Sequence, residues 1–282
     1  MSFAKKSDWR LIISPAYPGK LNMAVDEVLL ENAGSPNRLP ILRLYTWQPA
    51  CLSIGYAQPI SDVDLSALHA NGWDLVRRPT GGRAILHADE LTYAIIGSQN
   101  EPRLSGGVLE SYRIISRALL SILHRIGIQA EASSNQDSTI PSRENQSIDP
   151  NPVCFEVPSN YEITFQGKKI IGSAQARRKE GILQHGSIPI SGDLTRIISA
   201  LNFPTSLDRK TATDRLILRA STLESLIGYS ISWDILAAHT VEAFEQALNI
   251  NFHSEELSNG EYKQADILIE KKYGNWEWTA RT

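Results

Sequence analysis

Between Ile41 and Ile96, proline and glycine cut the chain into short apolar runs. Ile41 to Tyr45, Cys51 to Ile54, Asp74 to Arg77, Ala84 to Leu86 and Thr92 to Ile96 are bounded in this way, which predicts the strands of a mixed sheet. Gly81-Gly82 falls between two of these runs and is expected to form a hairpin turn. Leu11 to Ile13 reads as a further short strand. From Asn22 to Glu31, Met23, Ala24, Val28 and Leu29 recur near a 3.6-residue period behind a capping Asn22, which predicts a helix. From Val108 to Arg125, Tyr112, Ile115, Leu119, Leu120 and Leu123 keep one stripe that Gly127 ends, and this helix should cover the sheet.

Between Ala132 and Asn151 the composition turns to Ser, Asn, Gln, Asp and Pro, with too few apolar side chains to repay ordering, so residues 132–151 are expected to form a mobile loop. Tyr161 to Phe165, a Gln166-Gly167 turn, Lys169 to Ala176 and Ile182 to Ile190 then read as an antiparallel group. Ser232 to Leu248 carries an apolar face, and a last segment lies around Asp266 to Tyr273. The expected class is α+β, with a mixed, largely antiparallel sheet flanked by helices. Residues 1–205 are expected to form the main domain, and 206–282 a mostly helical extension packed on it.

At 282 residues and 42% hydrophobic, the chain is long enough to bury a core without staples. A formal net charge of −3 argues against a protein that works mainly by capturing nucleic acid or an anionic membrane. Cys51 and Cys154, the only two cysteines, make neither a disulfide framework nor a zinc spacing. No metal is expected. No run approaches the roughly 18 apolar residues of a membrane span, and Leu11 to Ile13 is too short for a signal-peptide core, so a cytoplasmic protein acting as a monomer is expected.

Three segments carry candidate chemistry. Arg77, Arg78 and Arg83 surround Gly81-Gly82, which suits either a tight turn with solvated arginines or a loop that brings backbone and cations to an anionic ligand. Cys154 lies in Pro152-Val153-Cys154-Phe155-Glu156-Val157-Pro158, where prolines on both sides discourage regular structure; it is either a small buried hydrophobe or a reachable nucleophile. Cys51 better suits the first role. Lys168 and Lys169 are neighbours on one strand, so alternation sends one inward, where it needs a partner or a ligand oxygen, unless the strand is an edge that uses lysine against aggregation. His87 and His185 suit structural roles or general bases.

Taken in order, Arg77-Arg78-Pro79-Thr80-Gly81-Gly82-Arg83-Ala84-Ile85-Leu86-His87, Asp89-Glu90-Leu91-Thr92-Tyr93, Cys154-Phe155 with Pro158-Ser159-Asn160-Tyr161-Glu162, Gly167-Lys168-Lys169-Ile170-Ile171-Gly172-Ser173-Ala174-Gln175 and Gln184-His185-Gly186-Ser187-Ile188 resemble the lipoate and biotin protein ligase superfamily. The resemblance runs from about Trp9 to Ile190, and an arginine after the double glycine with a cysteine upstream of the lysine is similar to its cysteine-dependent octanoyltransferases of the LipM type. It implies a biotin/lipoate protein ligase-like catalytic domain over 1–205. It further implies Cys154 as nucleophile with Lys169 as its catalytic partner, and a substrate site from Arg77, Arg78, Thr80, Gly81, Gly82, Arg83, Ala84, His87, Gly172, Ser173, Ala174, His185 and Gly186 around a narrow acyl tunnel. One departure is visible: Ala88 stands where relatives usually carry Asp, with Asp89 and Glu90 beside it.

The implied reaction is octanoyl transfer from octanoyl-acyl carrier protein to a lysine of a lipoyl domain such as the glycine-cleavage H protein, without ATP or metal. A nearby ammonium favours the thiolate of a group whose reference pKa is about 8.5, and a desolvated Lys169 suits a general base for the acceptor amine. Lys168, Arg177, Arg178 and Lys179 are expected to form an outer basic patch for an acidic carrier. Other readings are an ATP-dependent lipoate-protein ligase, an amidotransferase between lipoyl domains, and a noncatalytic module that holds a cofactor acid.

Overall fold

The chain opens as a strand, β1 (Ser7–Ile13), followed by α1 (Gly19–Asn32), β2 (Ile41–Tyr45), β3 (Cys51–Ile54), α2 (Leu65–Ala70), β4 (Asp74–Arg77), β5 (Ile85–His87), β6 (Glu90–Gly97), α3 (Val108–Arg125) and β7 (Glu131–Ser133). Then come β8 (Glu162–Phe165), β9 (Lys168–Arg177), β10 (Ile182–Pro189), α4 (Ser206–Arg219), α5 (Leu223–Ile227), α6 (Trp233–Leu248), β11 (Ile250–Ser254), α7 (Asn259–Leu268) and α8 (Trp276–Ala280). This computed structural model describes residues 5–133, 152–153 and 162–281.

Eight strands form one sheet in the order β11-β1-β2-β6-β10-β9-β8-β7, parallel at its β11-β1-β2 end and antiparallel from β2 onward. The expected α+β class with a largely antiparallel sheet is what the chain forms. Both faces of the central strands are covered. Leu42 and Leu44 of β2 pack with Tyr93 and Ile95 of β6 into a core shared with Ile115, Leu119 and Ile122 of α3 and Phe244 of α6. The alternate residues Tyr45, Ala94 and Ile96 face Met23, Val25 and Val28 of α1. Burying such a side chain contributes roughly 1.5–3 kcal/mol, so the two helical layers hold the sheet from both sides.

A smaller sheet, β4-β3-β5, lies apart. β4 is parallel and β5 antiparallel to β3, and both pair with β3 rather than with each other. The connection from Arg77 to Ala84 is therefore a crossover past the end of β3, and the expected Gly81-Gly82 hairpin is corrected. A hairpin turn joins adjacent antiparallel strands, and here β3 lies between the two that the loop connects.

Other boundaries moved for local reasons. α1 starts at Gly19 behind Pro18, and Asn22 is no cap but a buried helical residue whose amide donates to the carbonyls of Tyr17 and Thr46. Ala132 and Ser133, expected in the mobile loop, belong to β7 and pair with Ile163 and Glu162; the rest of that stretch, 134–151, lies outside the described residues. β11, within the region read as mostly helical, adds a parallel edge strand beside β1. Among the described residues no helix is long and apolar enough to cross a membrane.

Candidate active site

The crossover is held tightly over β3. Arg78 N donates to Ile54 O at 3.0 Å and Tyr56 N to Thr80 O at 2.9 Å. Gly55 lies beneath the loop, where a Cβ would stand 1.9 Å from the carbonyl oxygen of Gly82, so no other residue fits without displacing backbone. The Arg78 guanidinium closes the loop on itself, donating to Gly81 O and Arg83 O at 2.8 Å and to Ser53 Oγ at 3.1 Å.

Under the loop lies a cavity of about 360 Å³, within the usual range for ligand pockets. Met23, Tyr45, Trp47 and Ile85 give it an apolar interior. Arg78, Gly81, Gly82 and Arg83 line it from the crossover, Lys169 and Gly172–Gln175 from β9, and His185–Ser187 from β10. Gly186 lets this wall stay thin: a Cβ there would meet Tyr93 Cε1 at 2.5 Å and Gly172 O at 2.7 Å. Thus Arg78, Gly81, Gly82, Arg83, His87, Lys169, Gly172, Ser173, Ala174, His185 and Gly186, all singled out from the sequence, meet in one cavity.

Arg77, Thr80 and Ala84 do not line it. Arg77 is fully buried and turned away, its guanidinium donating to Gly55 O, Gln58 O and Thr279 O at 2.9, 2.7 and 2.7 Å, while Trp278 Nε1 donates back to Arg77 O. The substrate contact expected of Arg77 is thereby corrected to an anchor between the crossover and the C-terminal helix α8. Ala84 is buried and its N donates to Pro152 O, so the chain entering Cys154 is pinned to the crossover through Val153, itself buried. Cys154 lies outside the described residues. Cys51 is fully buried, and burial pushes its thiol well above the ordinary range.

Lys169 points inward and is buried, its Nζ 3.0 Å from Glu162 Oε1. The register pairs Lys169 with Thr164 and shifts between Thr164 and Ile163, and the ion pair to Glu162 spans that irregularity. Lys168 and Arg177 are the first and last residues of β9, about 30 Å apart at strand rise, so the expected single basic patch does not form.

Both histidines are fully engaged. His185 Nε2 is 2.7 Å from Thr80 Oγ1 and its Nδ1 is 3.3 Å from Asp26 Oδ2; burial holds its pKa below the ordinary value, with Asp26 opposing. His87 Nδ1 is 2.7 Å from Glu90 Oε1, its Nε2 is 2.7 Å from Ser53 Oγ, and the ring stacks on Trp47 at 4.1 Å. An ionised Glu90 only accepts, which assigns the proton to Nδ1 and makes Nε2 the acceptor of the Ser53 hydroxyl. Glu90 is thus the neighbouring acid that meets His87, whereas Asp89 turns outward to Arg196.

Sequence reading missed the charges beneath this wall. Arg43 and Asp26, each fully buried, pair at 2.7 Å; Tyr45 OH donates to Asp26 Oδ2 and Arg43 Nη2 to Asn22 Oδ1. Burial alone would raise the Asp26 pKa, but Arg43 and His185 outweigh it and hold the carboxyl below its ordinary value. The available signal was an arginine inside the apolar run Ile41 to Tyr45 and an aspartate inside the apolar helix 22–31. Among the described residues no cluster of His, Cys, Asp and Glu is placed to hold a metal ion.

Residues 18–245 match the lipoyl protein ligase A/B catalytic domain. The chain belongs to this family. The match to the catalytic domain passes residue 205 and ends inside α6. Among the relatives are octanoyltransferase LipM of Carboxydothermus hydrogenoformans, 38% identical with 97% of this chain and 98% of that one covered, and octanoyltransferase LipM of Bacillus subtilis, 36% identical with 97% and 98% covered. The fold is that of the bipartite lipoate protein ligase of Thermoplasma acidophilum, whose structure aligns with a TM-score of 0.79 at 24% identity over 97% of this chain and 96% of that one.

Proposed function

We propose that the chain is an acyltransferase that moves an octanoyl group from octanoyl-acyl carrier protein, through a thioester on Cys154, to a lysine of a lipoyl domain such as the glycine-cleavage H protein. The observation that carries this reading is an apolar-lined cavity with the Lys169 ammonium in its wall, in a chain whose near full-length relatives are octanoyltransferases. The choice of thiol is supported by elimination: of the two cysteines, Cys51 is buried with its pKa pushed up, and Cys154 remains.

In the first step the Cys154 thiolate attacks the donor carbonyl; a new C–S bond forms, the old one breaks, and the carrier thiolate leaves. One thioester replaces another, so no ATP or metal is required. The cavity holds the acyl chain, and the Lys169 cation favours the thiolate. In the second step the acceptor amine attacks the acyl-enzyme, the C–N bond forms as the enzyme C–S bond breaks, and the amine proton passes to Lys169, which gave its own proton to the departing carrier thiolate in the first step. Modification of an isolated lipoyl domain by octanoyl-acyl carrier protein in the absence of ATP, read by mass, tests the reading. Transfer only from free octanoate with ATP would assign the chain to the ligases instead.

A further inference from the structure

An open groove runs beside the acyl cavity, and Gly81, Gly82, Arg83 and Gln175 form part of both walls. The rest of the groove is bounded by Tyr56–Gln58 and Pro79 on one side and by Ala176–Arg178, at the end of β9, on the other. Arg83, Arg177 and Arg178 line it, and among the described residues no carboxylate does. Arg178 is partly answered by Glu27 from behind. Arg177 is held by the neutral carbonyls of Leu104 and Gly106, which fix the guanidinium without cancelling its charge. At the rim Arg281 lies 3.8 Å from the Tyr56 ring centroid, and its hydrogen bond and charge draw the Tyr56 phenol below the ordinary range. Gly81 and Gly82 are exposed and have no side chains, so a ligand can approach their backbone closely.

A groove lined by one sign of charge concentrates ligands of the other sign. The apolar cavity suits an acyl chain, and the guanidinium groups of the adjoining groove suit an anion. We propose that the groove binds the phosphate-bearing arm of the acyl donor: the acyl chain fills the cavity while the arm that carries the thioester lies along the groove, its anionic phosphate against Arg83 and the β9 end. This inference rests on the octanoyl-transfer reading above. Arg83, common to both walls, is the residue that couples acyl chain and phosphate.

The test compares octanoyl-4′-phosphopantetheine with octanoyl-pantetheine, two small donors that differ only in the phosphate. A charge-assisted contact predicts that the phosphate raises kcat/KM by roughly tenfold to a hundredfold in the wild-type protein, an advantage that falls as salt is added. In Arg83→Met the advantage should shrink to within about twofold, and Arg83→Lys should restore part of it. Because each variant is its own control, a general loss of activity does not affect the ratio. Equal rates for the two donors in the wild type, or an undiminished advantage in Arg83→Met, would overturn the groove. If neither donor acylates the chain, octanoyl transfer itself is wrong and the groove falls with it.

Discussion

The Lys169 ammonium lies 3.0 Å from the Glu162 carboxylate across the β8–β9 hairpin. The pair decides what the alternation of Lys168 and Lys169 means: the inward lysine lines the cavity and meets a carboxylate, and the outward one is half-buried at the start of β9.

Replacing Lys169 by Ala should therefore lower kcat/KM for octanoyl transfer by roughly 10²–10⁴-fold, the usual range for a lost proton-transfer group. Lys168→Ala should stay within about threefold. Steady-state kinetics on both variants decides it, and similar losses would place the wrong lysine inside.

Gly55→Ala tests the crossover. The added Cβ would meet the Gly82 carbonyl at 1.9 Å, so the Arg78–Arg83 loop has to move off the cavity. Such overpacking costs typically about 1–3 kcal/mol, visible as a lower melting temperature, with a raised KM for the acyl donor. Unchanged melting and KM would mean that the loop does not press on Gly55.

Acid should weaken the fold in a predictable window. His185 is held below its ordinary 6.5 by burial, so the unfolded chain binds more protons than the folded one below that pH, and stability is lost as pH falls through 6.5. Asp26, held below 3.8 against its burial by Arg43 and His185, contributes stability above 3.8 that is lost as pH falls further. Thermal melts should be level between about pH 7 and 8 and decline below 6.5. His185→Gln should remove the part of the slope that begins as pH falls through 6.5; an unchanged slope there would contradict the assignment.

How much of this was legible follows from what each signal depends on. Hydrophobic period and glycine stops are local, so α3 was readable to the residue and the β9 and β10 runs to within one. Strand order is not local: β4 and β5 lie on opposite sides of β3, and nothing within Arg77 to Ala84 distinguishes a crossover from a hairpin. For the same reason Arg77 read as a ligand residue although its guanidinium meets carbonyls of the Gly55–Gln58 turn and α8, more than two hundred positions along in the case of Thr279. Glu162 was not within reach, since the register shifts between Thr164 and Ile163, and alternation counted from the Gln166-Gly167 turn does not carry through that irregularity. The Arg43–Asp26 pair needed the knowledge that α1 packs on β2.

Chain length should be measured by the cavity, whose far wall of Met23, Tyr45 and Trp47 is buried. Hexanoyl lacks two methylenes and should lose at most about 1.6 kcal/mol, roughly tenfold to fifteenfold in kcat/KM. Palmitoyl should fail almost completely, because a closed apolar end cannot take extra atoms without strain. A flat response across carrier thioesters from six to sixteen carbons would place the acyl chain in an open groove.

The central claim is a covalent acyl-enzyme, and intact mass measured after incubation with octanoyl-acyl carrier protein, without ATP, tests it most directly. The account predicts one octanoyl group on the wild-type chain, released by hydroxylamine, and none on Cys154→Ser, which should also fail to modify the acceptor. A Cys154→Ser variant that octanoylates the acceptor at the wild-type rate, or an acyl-enzyme that forms only with ATP, would contradict it.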